Sequence, residues 1–143
     1  MLGELNNAQI EGLLKSQILG RIGCHANDTT LIVPVNYFYD GAYIWAHSRE
    51  GLKIKMMREN PNVCFEVEEI ENMANWQSVI AWGEYEEIKD EVERNNAMQK
   101  LIKQLLPLLV SETAIPSHGL GTMKLAIVYR IRLTKKVGRF EKQ

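Results

Sequence analysis

The chain carries few of the residues that announce a function outright. Among its 143 residues only two are cysteine and three are histidine. Cys24 and Cys64 stand far apart in no metal-ligand spacing, and the histidines show none either, which argues against a zinc hydrolase. The thiols read as small packed hydrophobes in the reduced state, which fits a cytosolic protein. No apolar run approaches the length of a membrane span, and "MLGELNNAQIEGLL" has early acidic residues where a signal peptide would not. A formal net charge of −1 supplies no field to draw nucleic acid or an anionic membrane, and no interleaving of Lys/Arg with aromatics suggests a nucleic-acid surface. The basic stretch "TKKVGRF" is expected to be a solvated tail. Repeats and low-complexity segments are absent.

What is present suits one domain over 1–143: 45% hydrophobic and 24% charged residues are enough for a substantial core. Ile10, Leu13 and Leu14 recur at helical spacing and predict a helix over 7–16. A strand over 17–26 and a turn at "NDTT" follow. Asp40-Gly41 between "TLIVPVNYFY" and "AYIWAHS" is a strong hairpin signal. The segment "REGLKIKMMREN" predicts a helix ending near Asn60, because the residue before Pro61 is driven out of helical space. "NVCFEVEEI" and "WQSVIAWGEYEEI" read as strands separated by a loop at "ENMAN". A helix over "KDEVERNNAMQKLIKQLLPLLV" opens with Asp90 and Glu93 placed like a capping box, with Leu101, Ile102, Leu105 and Leu106 on its apolar face. Residues 111–122, including His118, are expected to form a loop, and "MKLAIVYRIRLT" a last strand. About six strands, mostly antiparallel, with helices at the edge, close most naturally into a small barrel.

The stretch "WAHSREGLK" holds the chemistry. Tyr43, Trp45 and His47 alternate onto one face of their strand. Ser48 then falls where the helix is expected to start, in the position of an N-cap whose neighbouring amides and dipole favour an anion. Lys53, in the first turn, leans back toward the same point. Ser48 as a plain cap and Lys53 as a solvated lysine remain open on this pattern, and Glu50 would repel an anion unless it points away. Pro34, inside a good strand sequence, marks an edge or bulge and leaves the backbone of Val35 and Asn36 open to a ligand. In "WQSVIAWG", Trp76, Ser78 and Trp82 share one face and Val79, Ala81 and Gly83 the other. Small residues there would let a flat ligand approach the backbone, although aromatic strands also serve as core.

Taken in order, "GRIGCH", "IVPVNYFYDG", "IWAHSREGLKIKMMRENPNVCFEVEE" and "WQSVIAWGEYEEI" resemble the flavin-nucleotide-binding split-barrel family, the pyridoxamine 5'-phosphate oxidase-like superfamily. Within it the chain is similar to the 5-nitroimidazole-resistance (Nim) group. The match runs from about Gly20 to Ile88, and more loosely through the last strand. The resemblance implies a mainly β fold, a six-stranded antiparallel split barrel of Greek-key type with a few flanking helices. It implies FMN as cofactor, its phosphate held by His47, Ser48, Gly51 and Lys53. Pro34, Val35, Asn36 and Tyr37 would lie along the isoalloxazine ring, and Trp76, Ser78 and Val79 near the ring or ribityl chain. His47 matches the histidine that Nim proteins place at their active site and is the candidate catalytic residue, with phosphate binding as its other role.

The implied activity is an FMN-dependent oxidoreductase passing electrons from a reduced donor to a small acceptor, with nitroreduction of the Nim type as one form. A non-catalytic barrel holding flavin, haem or deazaflavin is the alternative. Pyridoxamine phosphate oxidases end in an Arg-Leu-x-Pro-type motif. This chain ends in "RIRLTKKVGRFEKQ", which argues against vitamin B6 oxidation itself. A six-stranded barrel is filled by its own side chains, so a flavin must sit at the rim. A second subunit would cover it, and a homodimer with FMN at the interface is expected.

Overall fold

The computed structural model describes residues 1–105 and 126–143. Along the chain run β1 (Leu2–Glu4), α1 (Asn7–Ser16), β2 (Leu19–Ala26), β3 (Thr29–Asn36), β4 (Phe38–Tyr39) and β5 (Tyr43–Ser48). These are followed by α2 (Leu52–Glu59), β6 (Asn62–Asn72), β7 (Asn75–Glu87), α3 (Glu91–Leu105) and β8 (Ile127–Glu141). The strands form one antiparallel sheet in the order β3-β2-β6-β7-β8-β5-β4, with β1 added to β8. The two ends of that path, β3 and β4, are joined by Tyr37 alone, so the sheet must roll round on itself with a split beside β3. This is the split barrel with flanking helices, with eight strands among the described residues rather than about six. The extra strands are the short β1 and β4, too brief for any periodicity to show.

Local chemistry explains the element ends. Asn6 caps α1 by accepting from the Gln9 amide at 2.9 Å, while the Gln9 side chain accepts from the Asn6 amide at 2.8 Å. Asn27 and Asp28 take positive φ values of 52° and 58°, which is the backbone a two-residue hairpin turn needs. The Asp40 carboxylate ties the next hairpin, accepting from the amides of Ala42 and Tyr43 and from the Trp45 indole at 2.9, 2.7 and 2.8 Å. Burial opposes ionisation of Asp40, but the Trp45 and backbone donors outweigh it and hold the carboxyl below its ordinary range. The α2 helix stops at Asn60, before Pro61, as expected. Asp90 accepts from the Glu93 amide at 2.9 Å, yet Glu93 turns to Arg130 at 3.0 Å instead of completing a capping box. The loop expected over 111–122 and the side chains of Leu105 and Leu106 lie outside the described residues.

One expectation is overturned outright. The basic stretch over 134–140 is no solvated tail, for β8 runs to Glu141 and pairs with β7 on one side and β1 on the other. Alternation and pairing explain it: Lys135 and Arg139 face out, while on the face where Gly138 packs against Leu5 and Ile10 the Lys136 ammonium is paired with Glu11 at 2.5 Å.

Two cores result. Inside the barrel, Ile22, Ile44, Phe65, Val67, Val79 and Tyr129 pack with Leu13 and Leu14 from α1 and Ile54 and Met57 from α2. On the opposite face of β5 and β8, Trp45 and Val128 pack against Ala97, Met98 and Leu101 of α3. The alternation of β5 thus feeds both, with Ile44 and Ala46 inward and Trp45 outward.

Candidate functional site

The site grows from the junction of β5 and α2. The helix starts later than the sequence suggested: Gly51, not Ser48, is the N-cap, and no side chain caps it. Glycine has no side-chain acceptor to offer, so the first amides of α2 have no partner of their own in the helix. Ser48 instead donates its hydroxyl to the Arg49 carbonyl at 3.0 Å, at the mouth of this loop.

Lys53 is the second position of the helix. It is half-buried, and it makes no ion pair or hydrogen bond with any described residue. Burial pushes the ammonium below the ordinary lysine range, opposed only by the nearby Cys24 thiol. A desolvated cation with no counter-ion, beside an uncapped helix N-terminus, lacks an anion. The acid that should have been a difficulty is drawn away: Glu50 pairs with Arg58 at 2.6 Å, and Arg58 also holds Glu87 at 2.8 Å. A clamp of this kind leaves no trace in sequence, because its members lie on α2, the loop before it and the end of β7.

On the outer face of β5, half-buried His47 meets Asn36 and Tyr37 across the split of the barrel. With Ile18, Leu101 and Gln104 they enclose a cavity of about 10 Å³. Gln104 donates to the Tyr37 carbonyl at 2.5 Å, so the end of α3 covers this point. Nothing in the pattern of α3 predicted that role for Gln104.

Of the predicted ring-side residues, Pro34 is exposed on β3, which among the described residues pairs only with β2 and is there the edge strand its proline implied. The side chains of Val35, Tyr37 and Val79 belong to the core, and the Tyr37 hydroxyl donates to the Leu14 carbonyl at 2.8 Å. Val79 lies in a strand paired on both sides, and the Tyr37 amide and carbonyl are engaged by Ile18 and Gln104, so of these three only Val35, on the edge strand, has backbone placed to meet a ligand.

Trp76 and Ser78 lie elsewhere in the same chain. Trp76 is half-buried, donates to Glu141 at 3.1 Å and lines a groove of about 770 Å³ with Phe140 and the chain ends. Along β8, Arg139 opposite Ser78 is eleven residues from Val128 opposite His47. Trp76 and Trp82 do share one face, as their spacing requires. Gly83, by contrast, lies against the β8 backbone, not toward a ligand. A further apolar groove of about 650 Å³ crosses the outer face of β2, β3, β6 and β7, with Gly23 and Cys64 at its floor, Ile32 and Trp82 as walls and Arg21 and Glu84 at its rim.

Cys24 and Cys64 are both free thiols, the first buried inside the barrel and the second facing the outer groove. Among the described residues no cluster of His, Cys, Asp and Glu could hold a metal ion, and no helix is long and apolar enough to cross a membrane.

The sequence model of the pyridoxamine 5'-phosphate oxidase family matches residues 6–139. The chain belongs to that family. A FAD-binding protein from Mesorhizobium loti superposes with a TM-score of 0.79 at 27% identity, over 99% of each chain. A candidate 5-nitroimidazole antibiotic resistance protein from Bacteroides thetaiotaomicron gives 0.76 at 18% identity, over 98% of this chain and 87% of that one. A FAD-binding protein from Mycobacterium smegmatis gives 0.69 at 24% identity, over 96% and 98%. At these lower identities the likeness is one of fold. An uncharacterised protein of Rhizobium meliloti (strain 1021) is 31% identical over 84 residues, a match that spans 59% of this chain and 56% of that relative. Membership extends the resemblance seen in the motifs from Gly20–Ile88 to nearly the whole chain.

Proposed function

We propose that this family member binds a flavin nucleotide with its phosphate at the α2 N-terminus and serves as an oxidoreductase. The observation that carries the reading is Lys53, a half-buried cation at an uncapped helix end without a counter-ion among the described residues. A phosphate there would meet the Lys53 ammonium, the first amides of α2 and the Ser48 hydroxyl, and FMN is the smallest flavin that supplies it. When bound, the flavin would supply transfer of an electron pair between a reduced donor and a small acceptor. The residues supply position. The edge backbone from Pro34 to Asn36 would flank the ring, and His47, across the split from Asn36, would be the group to hold a proton or a phosphate oxygen there. FAD-binding relatives on the same fold support the flavin class, and the nitroimidazole-resistance relative makes nitroreduction the acceptor chemistry to assay first.

The separation of Trp76 and Ser78 from Lys53 supports a homodimer in which each flavin takes its second wall from the partner. Exposed apolar side chains on the outer sheet face, Ile32 at 67% and Trp82 at 39%, support the same assembly. FMN titration followed by visible absorption, on protein whose mass is read by light scattering, tests both points. The expected result is a dimer binding two flavins. A flavin-loaded monomer overturns the assembly, and colourless protein in excess FMN overturns the cofactor.

Flavin affinity should also depend on pH through Lys53. Its ammonium is easier to deprotonate in the free protein than in the complex, where a phosphate dianion stabilises the charge. Below the depressed free-state value Lys53 is charged in both states and contributes no slope. Above it, binding must take up a proton, and affinity falls by up to about tenfold per pH unit until the complex itself titrates. Calorimetry above pH 7, where the phosphate dianion is fully formed, should show that decline and the matching proton uptake. An affinity that stays flat through the ordinary lysine range would refute the role given to Lys53.

A further inference from the structure

Gly23 is a strand glycine whose small size nothing inside the chain requires. At Gly20, Gly83 and Gly138 an added Cβ would stand 2.4, 2.4 and 2.8 Å from a neighbouring atom, so packing demands glycine there. At Gly23 the nearest atom is the Cys64 Cβ at 3.8 Å, an ordinary contact, and the backbone φ is not positive. A glycine inside a strand weakens it and, where packing does not demand it, marks the close approach of another surface.

That surface must fit the surroundings of Gly23. Ile32, Gly23, Cys64, Trp82 and Lys135 stand opposite one another in a single row across β3, β2, β6, β7 and β8. Gly23 and Cys64 form the low floor of the 650 Å³ groove, with Ile32 and Trp82 rising on either side. The row is its own complement, because Trp82 and Gly23 lie one strand from Cys64 on opposite sides. A two-fold axis running along β6 over Cys64 sets the partner's Trp82 on Gly23, and Trp82 on the partner's Gly23. Leu19, Ile32, Ile80, Trp82 and Val137 are exposed apolar side chains of this same face, and the contact covers them. Charges beside the groove are already paired within the chain: Arg21 with Glu66 and Glu68 at 3.3 and 3.1 Å, and Glu84 with Arg132 at 2.8 Å. Glu66 meets its own copy along the axis, with an Arg21 from each chain beside it.

The same rotation acts on the flavin site. It lays the partner's β7 over β2 and the partner's β8 over β3, with positions along the strands kept. Ser78 and Arg139 stand opposite each other, four residues along from Trp82 and Lys135. Leu19 and Asn36 are opposite each other too, four residues along from Gly23 and Ile32 in the same direction. The partner's Ser78 therefore comes to Leu19, and the partner's Arg139 to Asn36, which lies beside His47 at the split. Arg139 is exposed, and its guanidinium makes no ion pair or hydrogen bond with any described residue.

We propose that the chain dimerises about this axis and that Arg139 of the partner subunit completes each flavin site beside Asn36. The proposal rests on the flavin reading above and names the residue taken from the second copy. A guanidinium there gives the flavin nucleotide a cationic fork of hydrogen-bond donors.

Two experiments test it. Gly23→Leu fills the floor, yet its Cβ clears every neighbour within the chain. Light scattering over a dilution series should show a dimer at least about 30-fold weaker, the loss expected when a central interface pocket is blocked, with an unchanged far-ultraviolet circular dichroism spectrum. A monomeric parent, or a Gly23→Leu dimer as tight as the parent's, overturns the axis. Arg139→Ala should bind FMN at least about tenfold more weakly than the parent. When Arg139→Ala and Lys53→Ala chains are refolded together and the heterodimer is isolated through two affinity tags, one of its two sites carries both native residues. FMN titration should then find one site of parental affinity per heterodimer and none in either variant homodimer. Absence of that recovered site, or parental affinity in the Arg139→Ala homodimer, overturns the role of the partner's Arg139. An unaltered protein that binds no FMN overturns the flavin reading and that role with it, while the Gly23→Leu result still decides the axis.

Discussion

Replacing Lys53 by alanine should weaken flavin binding by roughly 30- to 1,000-fold while leaving the unliganded protein as stable as before, or more so. The two signs come from one fact. In the free protein the ammonium is half-buried with no counter-ion among the described residues, so it costs desolvation and gains nothing in return. In the complex it would face a phosphate, and truncating one partner of such a charge-assisted pair costs about 2–4 kcal/mol. The pH dependence of stability follows the same sign. A lysine whose folded value is lowered leaves the unfolded chain holding more protons between the two values, so stability rises with pH across that interval. The variant lacks that rise. Urea melts of apo-protein at neutral and alkaline pH, paired with FMN titrations, read both effects. A variant that is destabilised and binds flavin normally would show Lys53 to be a structural residue and would remove the basis of the proposed function.

The parts of this picture that sequence reasoning reached are those written in local rules. The bounds of α1, the Asp40-Gly41 hairpin, the stop of α2 before Pro61 and the edge position of Pro34 each follow from a residue acting on its immediate neighbours. The start of α2 was misplaced because Ser48 is a good cap in isolation, yet the loop runs three residues further and the helix opens on Gly51. Cap preference selects among candidates only where the chain's direction is already fixed. The fate of Glu50 was out of reach, since Arg58 draws it off from the other end of the helix. The basic end of β8 was misread for a related reason. Lys135 and Arg139 face outward and Lys136 meets Glu11 of α1, and pairing with β1 and β7 joins residues far apart in the chain. The motifs therefore gave the family, whereas only the fold shows that Trp76 and Lys53 do not meet within one chain.

Gly83→Ala should destabilise the protein by about 2–4 kcal/mol, while Gly12→Ala should leave it unchanged or stabilise it by up to about 1 kcal/mol. The contrast lies in what an added methyl meets. At Gly83 a Cβ would stand 2.4 Å from the Arg132 carbonyl oxygen and 2.8 Å from Ile131 Cγ2, and neither can retreat inside a paired strand. At Gly12, on the exposed side of α1, nothing lies within 4 Å, and alanine is the better helix former. The crowding at Gly83 has a structural purpose. Trp82 pairs with Lys135 but Gly83 pairs with Leu133, so Thr134 is bulged out, its hydroxyl donating to the Trp82 carbonyl at 3.1 Å. Such a bulge bends the strand and sharpens its twist. On one side of the bend β8 pairs with β5, which carries His47 and leads to Lys53. On the other it pairs with β1 and with the stretch of β7 that holds Trp76 and Ser78. Gly83 thus sets the angle between the two halves of the barrel that the proposed dimer must bring together around a flavin. Thermal melts should show Gly83→Ala lower by several degrees or more, with Gly12→Ala unchanged or higher. A Gly83→Ala protein as stable as its parent would mean that β7 and β8 can part without cost, and the bulge would then be no fixed hinge of the fold.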